Sequence, residues 1–231
     1  MTPAELRARN QRSMSAARKI HKLATADWRR TKAHGPSGSD PVTFGLMLDK
    51  ADKTTRGALL LATRGYIEDA FILARSLVNL TIDISYLSTK DAERFRSYRA
   101  TGKIARRRVA RLANVDPIDE ENTDWTDAKK RAERWQKPGA IFERAEKSGC
   151  VDLYKHAYRH GSSYEHSDAW SLLTYEHDQG RAREVVLHLA LLVVAYSVVK
   201  IYHAWSQFSG RATSSTEDRI KGHFLDAFPP K

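Results

Sequence analysis

The fold is decided by one long apolar stretch, YIEDAFILARSLVNLTIDISYLS (residues 66–88). Its apolar residues recur at helical spacing and cover most of the circumference of a helix, as in a helix that is buried on nearly every side. They are Ile67, Phe71, Leu73, Ala74, Leu77, Val78, Leu80, Ile82, Ile84 and Leu87. The stretch therefore predicts a central helix against which other helices pack.

Polar side chains nevertheless interrupt this apolar helix along one face. They follow spacings of seven, four and four residues: Glu68, Arg75, Asn79 and Asp83. Because a buried charge is costly unless it is paired, we expect Arg75 and Asp83 to pair through or beside Asn79. Three interpretations remain open at this point: an ion-pair network that fixes helix register, a polar wall facing a functional site, and an ordinary solvated face.

The rest of the chain has the same helical periodicity, and strand-like alternation is nearly absent. The sequence predicts an all-α fold, a helical bundle of about five core helices with a long basic N-terminal helix. The expected core helices are 42–64, 66–88 and 183–208, with 91–113 and 151–169 packed around them. We expect three parts in chain order: a basic N-terminal helix at 1–34, the bundle at 42–208 and a mobile C-terminal tail at 209–231.

The composition is that of a soluble globular protein with an excess of basic residues. Thirty-nine Lys and Arg against 28 Asp and Glu give a formal net charge of +11. Such an excess favours an anionic partner, most often nucleic acid, although a basic solvated surface has the same composition. Cys150 is the single cysteine, so no intramolecular disulfide can form, which fits a reducing cytoplasm.

No membrane or export segment is expected. The basic N-terminus is not followed by the apolar region of a signal peptide. The most apolar stretch, 185–205, contains His188 and Lys200, and its uninterrupted apolar part is shorter than the roughly 20 residues that span a bilayer. We interpret it as a buried central helix and expect a cytoplasmic protein without membrane contact.

The basic residues are concentrated in two blocks, at 7–22 and 102–113. Phosphate contacts from such blocks would be independent of base sequence and strongly dependent on salt, whereas a solvated helix face is the alternative. The candidate RNA-binding residues are Arg18, Lys19, Lys103, Arg106, Arg107, Arg108 and Arg111. The tryptophans are scattered, and we expect core or helix-packing roles for them rather than a base-stacking platform: Trp28, Trp125, Trp135, Trp170 and Trp205.

A second polar stretch, YRHGSSYEH (158–166), contains the candidate catalytic residues Arg159 and His166. Two turns of helix would separate them, with an azimuthal difference of about 20°, and a break at Gly161 would turn both toward one pocket. A guanidinium binds phosphate bidentately, and an imidazole moves a proton near neutral pH. Together they have what metal-free RNA cleavage requires, with Ser163 and Tyr164 orienting the pair.

These residues resemble a known superfamily. The Arg-x6-His element on an all-α bundle is similar to the HEPN superfamily, the higher eukaryote and prokaryote nucleotide-binding domains. More narrowly, GYIEDAFILARSLVNLTIDISYL followed by YRHGSSYEH resembles an uncharacterised bacterial family of helical proteins, over about 42–208. The six-residue spacer is the upper limit of the HEPN pattern, and here it contains Gly161.

The resemblance implies a metal-independent endoribonuclease, working as a homodimer in toxin systems or phage defence, with a neutralising or regulatory protein as a further partner. Arg159 would bind the scissile phosphate and His166 would act as general acid or base. Asn79 or Asp83 would be the additional polar residue that supports the motif from an earlier helix. With Arg75, these two residues would shape the pocket. No cofactor and no metal are expected.

Other kinds of site have less support in the sequence. Asp152, His156 and His160 recur every fourth residue and could chelate a divalent ion, but HEXXH is absent and solvated histidines give the same spacing. A serine hydrolase is disfavoured because no Gly-x-Ser-x-Gly element occurs. Cys150 has no evident base partner. The alternative function is a non-catalytic helical module that binds RNA or a protein, such as an immunity or regulatory subunit.

Overall fold

The regular structure of this chain is helical. The computed structural model describes residues 2–30, 40–89, 91–113, 124–155, 181–210 and 215–229. Within these ranges the regular elements are helices, and no residue forms a β-strand. The predicted all-α helical fold is therefore confirmed. The helix predicted at 151–169 begins as a single turn, and its residues from 156 onward lie outside the described ranges.

Ten helices follow one another in the described ranges. The first five are α1 (Pro3–Arg9), α2 (Gln11–Arg30), α3 (Pro41–Arg64), α4 (Ile67–Leu87) and α5 (Ala92–Ala113). The next five are α6 (Trp125–Gln136), α7 (Ala140–Lys147), α8 (Val151–Leu153), α9 (Arg181–Ser209) and α10 (Ser215–Ala227).

Local chemistry explains where α3 begins and ends. Asp40 caps its N-terminus by accepting a bond from the backbone N–H of Thr43 at 2.9 Å, and Pro41 occupies the first helical position. At the other end Gly65 has a φ of 85°, a left-handed conformation that costs glycine little. The chain then reverses directly into α4, which brings α3 and α4 into contact along their length.

The central helix is α4, as its sequence predicts. It packs against α3 on one side and α9 on another, so the three predicted core helices do form the core. Leu77, Val78, Ile82, Ile84 and Leu87 have no exposed surface. Full burial of such a side chain is worth roughly 1.5–3 kcal/mol, so α4 contributes strongly to the apolar core. The helix α9 does so as well, with Tyr202, Trp205 and Phe208 buried.

The N-terminal region belongs to the bundle. Instead of one helix over 3–33, the chain forms α1 and α2 with a break at Asn10, whose side-chain amide donates to the carbonyl of Leu6 at 3.2 Å. Ala17, Ile20 and Ala24 of α2 are completely buried, and α2 packs against α3, α9 and α10. The basic residues of α2 therefore occupy the outer face of a core helix.

The C-terminal region differs from the mobile tail predicted for 209–231. Residues 215–227 form α10, which packs against α2 and α9. Ile220 is completely buried, and the ring of Phe224 lies 5.6 Å from that of Tyr196. The apolar residues Ile220, Phe224 and Ala227 recur at helical spacing, and this short amphipathic pattern was the signal that the sequence analysis underestimated.

The pair α5 and α6 lies at the side of the bundle. In the described residues α5 packs mainly against α6, through a small apolar cluster of Ala100, Ala128 and Ala132. The first turn of α5 is anchored by Phe95, which is buried with its ring 6.0 Å from that of Phe208. The remainder of α5 is thus held by one neighbouring helix and presents its basic side chains outward.

Two of the helices, α4 and α9, are long and apolar enough to cross a bilayer by length and composition. Their most apolar windows are 61% and 56% buried inside the protein, and these two helices pack extensively on each other. Packing within the bundle is therefore sufficient to account for their apolarity.

Candidate functional site

The predicted catalytic pair lies outside the described residues. The description stops at residue 155 and resumes at 181, so Arg159 and His166 stay predictions, as do their supporting residues Ser163 and Tyr164. The chain enters this segment from Tyr154, whose ring packs 5.4 Å from that of Phe142. The described residues do include the polar line on α4 and the basic residues of α2 and α5.

On α4, Asp83 pairs with an arginine that the sequence analysis did not name. Its Oδ1 accepts a bond from Nε of Arg144 at 2.8 Å. The same guanidinium donates through Nη1 to the carbonyl of Trp135 at 2.8 Å and lies 4.4 Å over the Trp135 ring. The expected partner of Asp83 was Arg75. Arg144 takes this place because α7, which carries it, packs against α4.

The charge of Asp83 is costly despite this pairing. Burial raises the pKa of Asp83 to about 6, and the opposing effects of the Arg144 and Lys50 charges only partly compensate. The pKa of Tyr98 is raised to about 12, first by burial and then by the nearby Asp83 charge. The arrangement joins α4, α6 and α7 through one arginine, which favours the ion-pair interpretation for this end of the polar line.

The three earlier members of the polar line, Glu68, Arg75 and Asn79, are half-buried. The side-chain carbonyl oxygen of Asn79 is buried and accepts no hydrogen bond from the described residues. Unpaired buried groups of this kind are uncommon and cost about 1–3 kcal/mol. Packing among the described helices therefore does not explain Asn79, which makes it a candidate contact residue of a site.

A basic groove lies between α5 and α6. Six of its lining residues are cationic or aromatic, and one, Glu133, is acidic. The six are Arg107, Arg108, Arg111, Trp125, Lys129 and Lys130. The guanidinium of Arg107 lies 4.2 Å over the ring of Trp125. The groove has a volume of about 680 Å³, within the range of roughly 300–1,000 Å³ that is typical of ligand sites. We call it the α5–α6 groove.

The structure divides the predicted RNA-binding residues into separate sets. Arg107, Arg108 and Arg111 line the α5–α6 groove, whereas Lys103 and Arg106 are exposed on α5 outside it. The remaining two, Arg18 and Lys19, lie on α2.

On α2, Arg18 has a partner within the protein. Its Nη2 donates to Oγ1 of Thr63 at 2.6 Å, and Arg7 donates to the carbonyl of Thr63 at 3.2 Å. Both arginines thereby bind the C-terminal end of α3, where cations are favourable. Lys19 is exposed and lines a shallow groove with Arg12. The α2 face therefore holds fewer cations that are available to a ligand than its sequence suggested.

The sequence analysis missed three residues of the α5–α6 groove, namely Trp125, Lys129 and Lys130. Trp28, Trp135 and Trp205 are buried, as expected, and Trp170 lies outside the described residues. Trp125 instead is half-buried in the groove wall. A tryptophan four and five residues before two lysines in a predicted helix was the available signal, because this spacing places all three near one helix face.

A buried charge cluster between α2 and α3 was also missed. Asp52 accepts bonds from His21 Nε2 at 2.8 Å, Arg29 Nη2 at 2.5 Å and Arg56 Nη2 at 2.9 Å. Burial lowers the pKa of His21 although Asp52 acts in the opposite direction. Two of these donors, His21 and Arg29, lie on α2 and connect it to Asp52 of α3, so we interpret the cluster as a structural clamp.

No metal centre is formed by the described part of the chain. There, no group of three or more His, Cys, Asp or Glu side chains is placed to hold an ion. Asp152 of the alternative metal site is exposed, and its predicted partners His156 and His160 lie outside the described residues.

A protein-family model matches residues 43–182, and this family is described as a family of unknown function (DUF5677). The match covers more than half of the chain. It runs from the start of α3 to the start of α9, and it includes the α4 polar line, the α5–α6 groove and the stretch with Arg159 and His166. No match was found among curated proteins or among solved structures.

Proposed function

We propose that this chain, which belongs to the family of unknown function DUF5677, is a metal-independent endoribonuclease. The α5–α6 groove supports RNA as the substrate, because its cations come from two helices and surround an aromatic ring. The Arg159 and His166 element supports cleavage, through its resemblance to the HEPN superfamily. We place the protein in the cytoplasm, as a homodimeric toxin or phage-defence effector with a neutralising or regulatory partner.

The proposed reaction is an internal transesterification. Arg159 binds the scissile phosphate and stabilises the charge that develops on its oxygens. His166 takes the proton from the ribose 2′-hydroxyl or donates one to the leaving oxygen. The 2′-oxygen forms a bond to phosphorus and the bond to the 5′-oxygen breaks. The products are a 2′,3′-cyclic phosphate and a 5′-hydroxyl, and no metal ion takes part.

A cleavage assay in EDTA tests this proposal. We expect cleavage of single-stranded RNA to persist in the chelator and to fall by at least about 100-fold in both Arg159→Ala and His166→Ala. His188→Ala is the matched control, because Arg183 and His188 also fit an arginine–histidine spacing. In the structure this second pair has partners inside the protein, so we expect no role in catalysis for it. Arg183 donates to the carbonyl of Gly65 at 3.1 Å, and His188 lies 3.3 Å from Ser13 Oγ.

Several results would reject the ribonuclease. Among these are full activity in either catalytic variant, equal losses in His188→Ala, and activity that requires a divalent ion. Folding of each variant is checked by circular dichroism and thermal unfolding. Products that end in a linear phosphate from the start of the reaction would exclude attack by the 2′-hydroxyl.

The second candidate function is a non-catalytic RNA-binding module. It is favoured by the composition of the α5–α6 groove, where the described lining residues offer cations and an aromatic ring but no histidine as a proton carrier. RNA binding that persists without any cleavage under the conditions above would support this function over the enzyme.

A further inference from the structure

We infer that the α5–α6 groove binds single-stranded nucleic acid, with an unpaired base stacked on the Arg107–Trp125 pair and the flanking phosphates held by cations of both helices. The inference rests on the proposed function in one respect, since it names the form of RNA that the protein takes. It concerns binding alone and does not depend on the catalytic role of Arg159 and His166.

The groove is formed by two features of the helix pair. Small side chains at Ala100, Ala128 and Ala132 let α5 and α6 approach closely, so longer side chains beside this contact form walls. Arg131 adds an ion pair between the helices. Its Nε donates to Asp127 at 2.6 Å within α6, and its Nη1 pairs with Glu93 of α5. The two helices that form the groove are thus joined by packing and by an ion pair.

Three cations of the groove are available to an anionic ligand. Arg108, Arg111 and Lys130 are exposed, and no described acidic residue pairs with them. Lys129 contacts Glu133 at 3.9 Å, but both side chains are largely exposed and such a pair is weak. Positive charges on both walls repel one another, and a phosphate backbone between them would relieve that repulsion.

The aromatic part of the groove selects for an unpaired base. A guanidinium stacked 4.2 Å over an indole is a flat, polarisable surface of the kind on which RNA bases stack. In a duplex, neighbouring base pairs cover the faces of each base. Only a single strand can therefore combine stacking at Trp125 with phosphate contacts on both walls.

An acidic protein would match the charges of the groove but would not need the aromatic surface. The two ligands therefore predict different behaviour of Trp125 variants. Loss of stacking weakens nucleic-acid binding without changing its salt dependence, because the ring carries no charge.

The experiment measures binding of the full chain to fluorescein-labelled single-stranded DNA by anisotropy. DNA lacks the 2′-hydroxyl and cannot be cleaved by the proposed reaction. We expect Trp125→Ala to weaken binding roughly 5- to 150-fold, as the loss of one stacked base predicts, and Trp125→Phe to retain most of it. Arg108→Gln combined with Arg111→Gln should flatten the plot of log K against log salt by about 1.4, or about 0.7 per lost phosphate contact.

The control variant is Arg106→Gln, which removes one exposed charge of α5 outside the groove and should leave the salt slope unchanged. The inference is overturned if Trp125→Ala binds like the wild type, or if Arg106→Gln flattens the slope by about 0.7, as the loss of one phosphate contact would. It is also overturned if the duplex of the same sequence binds equally well or if polyglutamate competes equally well.

The two proposals fail in different ways. Groove-dependent binding without RNA cleavage keeps this inference and rejects the ribonuclease. Cleavage that needs Arg159 and His166, with binding indifferent to Trp125, keeps the ribonuclease and rejects the groove. Unchanged circular dichroism and thermal unfolding of each variant exclude misfolding as the cause.

Discussion

Burial changes the pKa of several side chains in this protein, and Asp83 is the clearest example. Its carboxylate accepts a bond from Arg144, yet burial raises the pKa of Asp83 to about 6. The desolvation cost therefore exceeds the stabilisation that the arginine provides, as happens for many buried ion pairs. A neutral amide of the same shape would accept the same bond without that cost.

We predict that Asp83→Asn gains stability relative to the wild type as pH rises from 5 to 7.5. The carboxyl is protonated more readily in the folded state than in the unfolded state, so its contribution to stability is present at low pH and is lost as pH rises through about 6. Urea unfolding of both proteins at the two pH values measures the difference. If the difference in free energy of unfolding between the two proteins is the same at both pH values, the pKa of Asp83 is not raised.

At His21 we expect stability to depend on pH in the opposite direction. Burial lowers the pKa of this imidazole, although its Nε2 lies 2.8 Å from Oδ1 of Asp52. The unfolded chain binds the proton more readily, and the stability contributed by His21 is lost as pH falls below about 6.5.

We predict that the wild type loses stability relative to His21→Gln as pH falls from 7.5 to 5.5. Glutamine can donate to Asp52 but does not titrate, so other ionisable groups cancel in the comparison. Urea midpoints of the two proteins at both pH values provide the measurement. If the wild type instead becomes more stable relative to the variant at low pH, the attraction of Asp52 for the His21 proton outweighs the effect of burial on the His21 pKa.

The limits of sequence reasoning are clear at these same residues. The periodicity of α4 placed Asp83 on a buried face, but its partner Arg144 is 61 residues away in the chain, and no local pattern relates them. The role of Trp125 depends on a cation from α5 that reaches it only after the helices have packed. Partners that come from tertiary packing could not be read from spacing.

Among the elements, long apolar helices were predictable and short amphipathic ones were not. The periodicity of α3, α4 and α9 continues over more than five turns each, which leaves little ambiguity. The helix α10 has only Ile220, Phe224 and Ala227 as its apolar face, in a sequence that is otherwise polar apart from Leu225. Docking onto α2 stabilises such a helix, since an isolated helix of this length is marginal in water.

We predict that Ile220→Ala lowers the free energy of unfolding by about 2–5 kcal/mol, because it leaves a cavity between α10 and α2. Leu225→Ala on the same helix is the control. Its side chain is 54% exposed, and we expect a change within about 0.5 kcal/mol. Denaturant unfolding measures both values. Equal small effects would mean that α10 contributes nothing to the bundle.

On the scale of the whole molecule, charge is unevenly distributed. The net charge is +11, and α5 alone carries eight arginines or lysines and one acidic residue, Glu93. Surface ion pairs such as Arg9 with Glu184 contribute little to stability. We therefore expect repulsion among the basic residues to be the main long-range charge effect, and an anionic partner would relieve it.

Added salt should consequently stabilise this protein, and this is our last prediction. Raising the salt concentration from 0.01 to 0.15 M shortens the screening length from about 30 to about 8 Å, which weakens repulsion along α5 more than it weakens partly buried pairs such as Asp83 with Arg144. We expect the urea midpoint of the wild type to rise over this range. The rise should be smaller for the triple variant of Arg106, Arg108 and Arg111 to Gln, which already lacks three of the repelling charges. A fall in the midpoint with salt would mean that favourable ion pairs outweigh repulsion, and the excess charge on α5 would then give no energetic reason for an anionic ligand.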